Sequence, residues 1–353
     1  MTESQKQFLV KLLNEPAPSG YEEPVQKIWK NEVSKFCKNI SRDIHGNLTA
    51  VLNPGNEKSI LIVGHSDEIG LIVHFINDEG FLYVASIGGV EAGILASHRV
   101  RIITKNGIVP GVIGKTSLHL QAIDEKKPLK LHDVWIDIGA KNKKDAENYV
   151  SKGDPVIFGE DFTQLAGDRA TARCWDNRVG IYVVAEVVRN LAKVKSASGG
   201  LKKTVYGVSS TQEETGVWGA RGAAYSAKPT LAIAIDVMPA TDSPTILKEK
   251  FGDTKVGSGP VITRGVRTNN KISEKLINTA VKKKIPYQID VDHGHTFTDA
   301  DPISQVRAGI PIGVVSLATR YLHSAVEILS LNDIDRTIEL LTQFINQDKF
   351  DID

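Results

Sequence analysis

Four stretches of this chain are apolar at consecutive positions, and each leads within a few residues to side chains that bind cations or carry protons. Residues 59–64 run into His65-Ser66-Asp67-Glu68. Residues 205–208 run into Ser210-Thr211-Gln212-Glu213-Glu214-Thr215-Gly216. Residues 230–235 run into Asp236, and residues 312–316 lead to Arg320-Tyr321-Leu322-His323. A short unbroken apolar run bounded by polar residues reads as a strand covered on both faces. Helical spacing appears between and after these runs. Ile181, Val184, Ala185 and Val188 fall on one face, and Ile334, Ile338, Leu341, Phe344 and Ile345 form a stripe in the last helix. Strands interleaved with helices require an α/β layering, here a mixed central sheet flanked by helices. In such open sheets, sites form beyond the carboxyl ends of the strands.

Near the start, residues 5–14 have helical spacing and are stopped by Pro16 and Pro18. Ser19-Gly20-Tyr21-Glu22 has the form of a capping box opening a second helix. From residue 71 to 162 the texture changes to many short β segments joined by turn signals such as Asn106-Gly107. The expected organisation is a discontinuous catalytic domain, residues 1–69 and 164–353, interrupted by a small β-rich domain at 70–163. His74, His98, His119 and His132 are scattered through the insertion without a matching set of carboxylates, and are expected to be structural. Residues 195–203 read as a small-residue, basic linker.

Composition narrows the function. The net charge of +1 gives no argument for nucleic acid or an acidic membrane surface. The apolar runs are too short for a transmembrane helix, and the polar first residues lack the apolar core of a signal peptide. Cys37 and Cys174 are the only cysteines. They form no disulfide framework and fit a reducing, cytoplasmic setting. Gly257-Ser258-Gly259 lacks the strand–loop–helix context and Lys-Ser/Thr ending of a phosphate loop, which excludes nucleotide binding on that motif.

The chemistry lies at the strand ends. Two adjacent carboxylates, Glu213 and Glu214, repel each other unless a cation sits beside them. An isolated pair is ordinarily a solvated strand end. A divalent metal would let one ligate while the other carries a proton. His65 and Asp67, two apart, share one side of an extended segment, and Asp67 can fix the imidazole of His65 as carboxylates do beside metal-bound histidines. Asp176 opens a helix, where it reads either as an N-cap or as a carboxylate spanning two metals. With Asp236 and His323 the set is two imidazoles and three carboxylates, with Glu213 to spare. Nitrogen and oxygen donors without thiolate suit Zn²⁺, Co²⁺ or Mn²⁺. Five such ligands suit two ions about 3.5–4 Å apart.

His-Ser-Asp-Glu-Ile-Gly, Trp-Asp-Asn-Arg-Val-Gly, Gln-Glu-Glu-Thr-Gly-Val-Trp-Gly-Ala, Ala-Ile-Asp-Val and Arg-Tyr-Leu-His-Ser-Ala-Val-Glu together resemble the tetrahedral (TET) aminopeptidases, dinuclear metallopeptidases of the glutamyl/lysyl aminopeptidase-like group. The resemblance runs over nearly the whole chain. It implies a zinc-peptidase-like fold and an aminopeptidase acting on peptides with a free N-terminus. It implies two divalent ions per subunit, Zn²⁺ or Co²⁺. Asp176 would bridge them, His65 and Asp236 would complete the shell of one, and Glu214 and His323 that of the other. Asp67 would orient His65 and Glu213 would act as general base. It also implies that the inserted domain mediates dimer contacts and that dimers assemble into a tetrahedral dodecamer. Ser66, Trp218 and His293-Gly294-His295-Thr296-Phe297 depart from the family's usual residues, and all three bear on the substrate pocket rather than the ligands.

Three other readings share some of these features. A metal-dependent carboxypeptidase or deacylase has the same ligand logic and differs in accepting N-blocked substrates. An endoglucanase, a label some relatives carry, needs two carboxylates flanking a sugar and survives chelation. Adjacent strand residues such as Glu213 and Glu214 point to opposite faces, which argues against that role. A non-catalytic scaffold would not need Glu213 beside a complete ligand set.

Overall fold

The computed structural model describes residues 1–120, 128–196 and 200–347. An eight-stranded mixed sheet forms its centre. Its strand order is Ile40–Arg42, Leu48–Leu52, Thr204–Ser210, Ser59–His65, Leu231–Pro239, Ile312–Thr319, Val261–Gly265, Gln288–Asp292. The four strands from Thr204–Ser210 to Ile312–Thr319 are mutually parallel. They are the four apolar runs, and their side chains are buried on both faces. Ile60 and Ile62 pack with Trp29, Val184 and Leu341 on one side. Leu61 and Val63, one residue out of phase, pack with Ala220, Ala224 and Ile303 on the other. Each face must therefore be covered by helices. Glu3–Asn14, Glu23–Val33, Trp175–Ser196, Asn270–Lys283 and Leu331–Ile345 cover the first, and Trp218–Ala227 and Ala300–Ser304 cover the second.

The long helix lies very close to the central strands. A Cβ added at Gly64 would stand 2.6 Å from the backbone carbon of Gly180. Gly64 has no room for a larger residue without moving helix from sheet, and a Cβ at Gly180 would stand 2.3 Å from Oδ1 of Asn177.

The inserted β-rich part is a closed barrel of six strands, in the order Gly70–Ile76, Leu82–Ile87, Val134–Asp137, Gly107–Lys115, Arg99–Thr104, Pro155–Phe158. It has its own core of Leu71, Val84, Val100, Ile113, Ile136 and Phe158. Closure pairs Gly70–Ile76 with Pro155–Phe158, which leaves no free edge there. Among the described residues no helix is long and apolar enough to cross a membrane.

Local expectations fail where a distant partner competes. The Ser19–Glu22 capping box does not form. The second helix starts at Glu23 with Pro24 in its first turn and no side-chain cap. Glu22 instead accepts from the backbone N–H groups of Gly20 and Gln212, at 2.8 and 3.0 Å, and the Ser19 hydroxyl meets that of Thr215 at 2.8 Å. A capping box does close the first helix, through Thr2 and Gln5. Of the linker expected at 195–203, residues 197–199 lie outside the described residues, and the long helix continues to Ser196.

Candidate metal centre

The parallel strands end together, and the predicted residues meet there. His65 closes its strand and its imidazole is buried. Asp236 lies inside its strand, which continues to Pro239 rather than stopping at residue 235. It sits just past Ala234, which faces Val63 in the last rung shared with the His65 strand, so its carboxylate opens onto the space above His65.

Glu213 and Glu214 do not lie on a strand. Their strand stops at Ser210, and the pair forms a turn. The opposite-face argument drawn from strand alternation therefore does not hold, because both acids face the same cluster. Asp67 sets this turn. It is fully buried, and its two oxygens accept from the backbone N–H groups of Glu213 and Glu214 at 3.1 and 3.0 Å. The same carboxylate lies 3.3 Å from His65 Nδ1, too poorly aligned for a formed hydrogen bond. Asp67 thus fixes the backbone of both glutamates while facing His65, where the sequence suggested a role at His65 alone.

Asp176 is not a helix cap. Its backbone is extended and its peptide to Asn177 is cis. Asn177 takes the capping role by accepting from Gly180 N–H at 2.9 Å, while its Nδ2 donates to Ile235 O at 2.8 Å. Asp176 is left free to face the cluster. Its Oδ1 is 3.0 Å from His65 Nε2 and its Oδ2 is 3.2 Å from His323 Nε2. One carboxylate therefore spans two imidazoles. His65 Nε2 is also 3.8 Å from both Glu213 and Asp236, and His323 Nε2 is 3.6 Å from Glu214. Glu213, expected to stand apart from the ligands, is as near His65 as Asp236 is.

Two positioning residues escaped the sequence. Glu327 is buried and accepts from the backbone N–H groups of Asp176 and His323, each at 3.0 Å. Its signal was an acid inside an apolar segment, between Val326 and Ile328. Asp299 accepts from the Ser210 hydroxyl at 2.5 Å, and its other oxygen has no partner. Burial pushes it up to about 6. A third contact comes from the barrel. His323 Nδ1 donates to Gly89 O at 3.0 Å, which turns the other ring nitrogen, Nε2, toward Asp176. A Cβ at Gly89 would stand 2.9 Å from that Nδ1, so the approach requires glycine. Of the four histidines in the insertion none joins the cluster, and His98 pairs with Glu160 at 2.9 Å.

The electrostatics call for cations. Five carboxylates, Asp67, Asp176, Glu213, Glu214 and Asp236, are crowded against two imidazoles. Burial pushes Glu213 up to about 10 and holds Glu214 and Asp236 well above the carboxylate range, with neighbouring acids adding to each. Burial works against a charged His65, but Glu213 and Asp176 hold it well above its ordinary value. Asp176 is held below its ordinary value by His323 and His65 despite its burial. Glu214 Oε1 and His65 Nδ1 are buried without hydrogen-bond partners. His65, Asp176 and Glu214 form one group with donor atoms within 4.8 Å of one another, and His65, Glu213 and Asp236 form a second. Imidazole nitrogens and carboxylate oxygens at this density fit borderline divalent ions. Cys174 offers no thiolate. It is buried, donates to Leu13 O, and is pushed up to about 12 by that burial.

Beneath the cluster, Glu68 joins Arg173 at 2.8 Å and Arg178 at 3.0 Å, all three buried. Arg178 also donates to the carbonyls of Leu12, Glu15 and Ala17, which ties the amino-terminal helix to the floor of the site. Removing one member of such a network strands the others. Glu68→Ala is expected to cost about 3–5 kcal/mol in denaturant unfolding. A loss under about 1 kcal/mol would show that water, with Asp161 at Arg173, compensates the two guanidinium groups.

The sequence matches the M42 glutamyl aminopeptidase family over residues 46–340. It is 30% identical to lysyl aminopeptidase of Pyrococcus furiosus over 97% of this chain and 96% of that protein. The structure resembles a TET aminopeptidase from Thaumarchaeota archaeon SCGC AB-539-E09, with a TM-score of 0.92 and 33% identity over 98% of this chain and 97% of that one. It also resembles the TET1 peptidase of Pyrococcus horikoshii, described as assembling into a tetrahedron or a large octahedral shell, with a TM-score of 0.85 and 32% identity over 97% and 99%.

Proposed function

The chain belongs to the M42 glutamyl aminopeptidase family, and from that premise we propose that it removes N-terminal residues from peptides at a two-metal centre with Glu213 as general base. The observation that carries this reading is Asp176, whose two oxygens face His65 and His323 separately at 3.0 and 3.2 Å. Asp176 with His65 and Asp236 would hold one divalent ion, and Asp176 with Glu214 and His323 the other. Bound there, the ions would acidify a water and polarise the scissile carbonyl.

The chain's own residues supply the rest. Glu213 takes the proton of the attacking water and returns it to the leaving amine. Asp67 fixes the backbone of Glu213 and Glu214 together, so base and ligand keep one spacing. The substrate's α-amine would sit among the acids of the cluster, which restricts cleavage to free N-termini.

The test is hydrolysis of aminoacyl-p-nitroanilides with matched N-acetylated controls, after chelation and after reloading with Zn²⁺ or Co²⁺. Activity is expected to vanish on chelation, return with metal, and require the free amine. Cleavage that survives chelation, or acts equally on blocked substrates, would overturn the reading.

We extend the proposal to residues 70–163 as a dimerisation domain and to a tetrahedral dodecamer. The likeness to TET structures and the exposed Ile108 and Val112 on the barrel support this extension. Light scattering should give a mass near twelve chains, and a monomer at working concentration would rule it out.

A further inference from the structure

The cavity holding the acidic cluster has a volume of about 990 Å³ and runs on across the sheet. Strand register shows what lines its far end. Asp236 lies opposite Ser316, Ser316 lies opposite Val261, and Thr263, two residues on, lies opposite Asp290. Side chains two apart on a strand share a face. Asp236, Ser316, Thr263 and Asp290 therefore rise from the same side, and all four line the cavity. Asp290 stands three strands across from Asp236 and two residues along, roughly 16 Å at ~4.8 Å per strand and ~3.4 Å per residue.

Asp290 is half-buried, and among the described residues its carboxylate has no hydrogen bond or ion pair. The other charged groups at this end are engaged or stand on the rim. Asp292 accepts from the backbone N–H groups of Val266, Arg267 and Thr268 and from the Thr268 hydroxyl. His295 faces Asp301 at 3.4 Å, and His293 is exposed on the rim. Between the cluster and Asp290 the walls are largely apolar, formed by Met238, Phe251, Phe297 and Val314.

We propose that Asp290 determines specificity and selects peptides whose N-terminal side chain is long and cationic, lysine or arginine. This rests on the aminopeptidase reading of the same cavity. With the α-amine and scissile carbonyl held at the acidic cluster, the first side chain extends along the cavity. A lysine or arginine stem covers the apolar walls, and its head meets the unpaired carboxylate in a charge-assisted contact. A leucine side chain stops short and leaves Asp290 unpaired. A glutamate brings a like charge to it, which selects against acidic substrates.

The experiment compares Lys-, Arg-, Leu- and Glu-p-nitroanilides on metal-loaded wild type, Asp290→Asn and Asp290→Lys. In parallel, thermal shift with L-lysinamide and L-leucinamide reports binding without turnover. Wild type is expected to favour Lys and Arg over Leu and Glu by about tenfold or more in kcat/KM. Asp290→Asn should lose that advantage while keeping Leu activity within about twofold. Asp290→Lys should favour Glu, and the stabilisation by L-lysinamide should disappear in both variants. An active wild type that prefers Leu or Glu, or an Asp290→Asn that falls equally on every substrate, would overturn the assignment of Asp290 and leave the aminopeptidase reading standing. No activity on any free-amine substrate would overturn both.

Discussion

Asp176→Ala is expected to remove both divalent ions at once and to lower kcat by about 10³ or more, since each lost ion withdraws several kcal/mol of transition-state stabilisation. The expectation follows from one side chain serving both of the proposed sites. Oδ1 faces His65, Oδ2 faces His323, and no other carboxylate of the cluster approaches both imidazoles within 4 Å. Each remaining set would fall to two protein donors, too few for a stable divalent site. The fold should survive, because Asn177 rather than Asp176 caps the long helix and anchors it to Ile235. Metal per chain by elemental analysis, beside circular dichroism as a check on folding, decides the point. Two ions retained by a folded Asp176→Ala protein would remove Asp176 as the bridge.

Glu213→Gln separates binding from chemistry. The amide keeps size and the backbone contact to Asp67 but carries no proton between water and amine. Both ions should stay, KM should change little, and kcat should fall by roughly 10²–10⁴. The proximity of Glu213 to His65, 3.8 Å from Nε2, gives this variant a second outcome of interest. If one ion is lost along with activity, Glu213 serves as a ligand and the base lies elsewhere in the cluster. Normal turnover by a fully loaded variant would remove it from catalysis altogether.

The parts of the site that could be read in the sequence are those set by local pattern. Strands buried on both faces must be apolar throughout, so a His or an acid at the end of such a run stands out, and His65, Asp236 and the Glu213–Glu214 pair were visible for that reason. The rest depended on partners far away in the chain. Asp176 and Asn177 are both good helix caps, and only the fold shows that the amide caps and the acid does not. Ser19 and Glu22 satisfy the pattern of a capping box, but Glu22 is drawn to the backbone of Gln212, nearly two hundred residues away. Glu327 and Asp299 sit next to apolar residues and look like ordinary surface acids until their partners, Asp176, His323 and Ser210, are in place. The β texture of the insertion was legible from its turns. Its closure into a barrel was not, because Pro155–Phe158 returns to pair with the first and fifth barrel strands across long sequence gaps.

The Gly89 contact gives the barrel a part in the reaction that lies outside its own core. His323 is held from two directions, by Glu327 at its backbone and by a carbonyl of the inserted unit at its ring. The orientation of the His323 imidazole thus becomes a readout of whether the insertion has folded and docked. A chain caught halfway, with its central sheet formed but its barrel still open, would present a mispointed imidazole and an incomplete cluster. Proteolytic capacity would then switch on only with maturation, so that nascent chains carry no working peptidase among their neighbours.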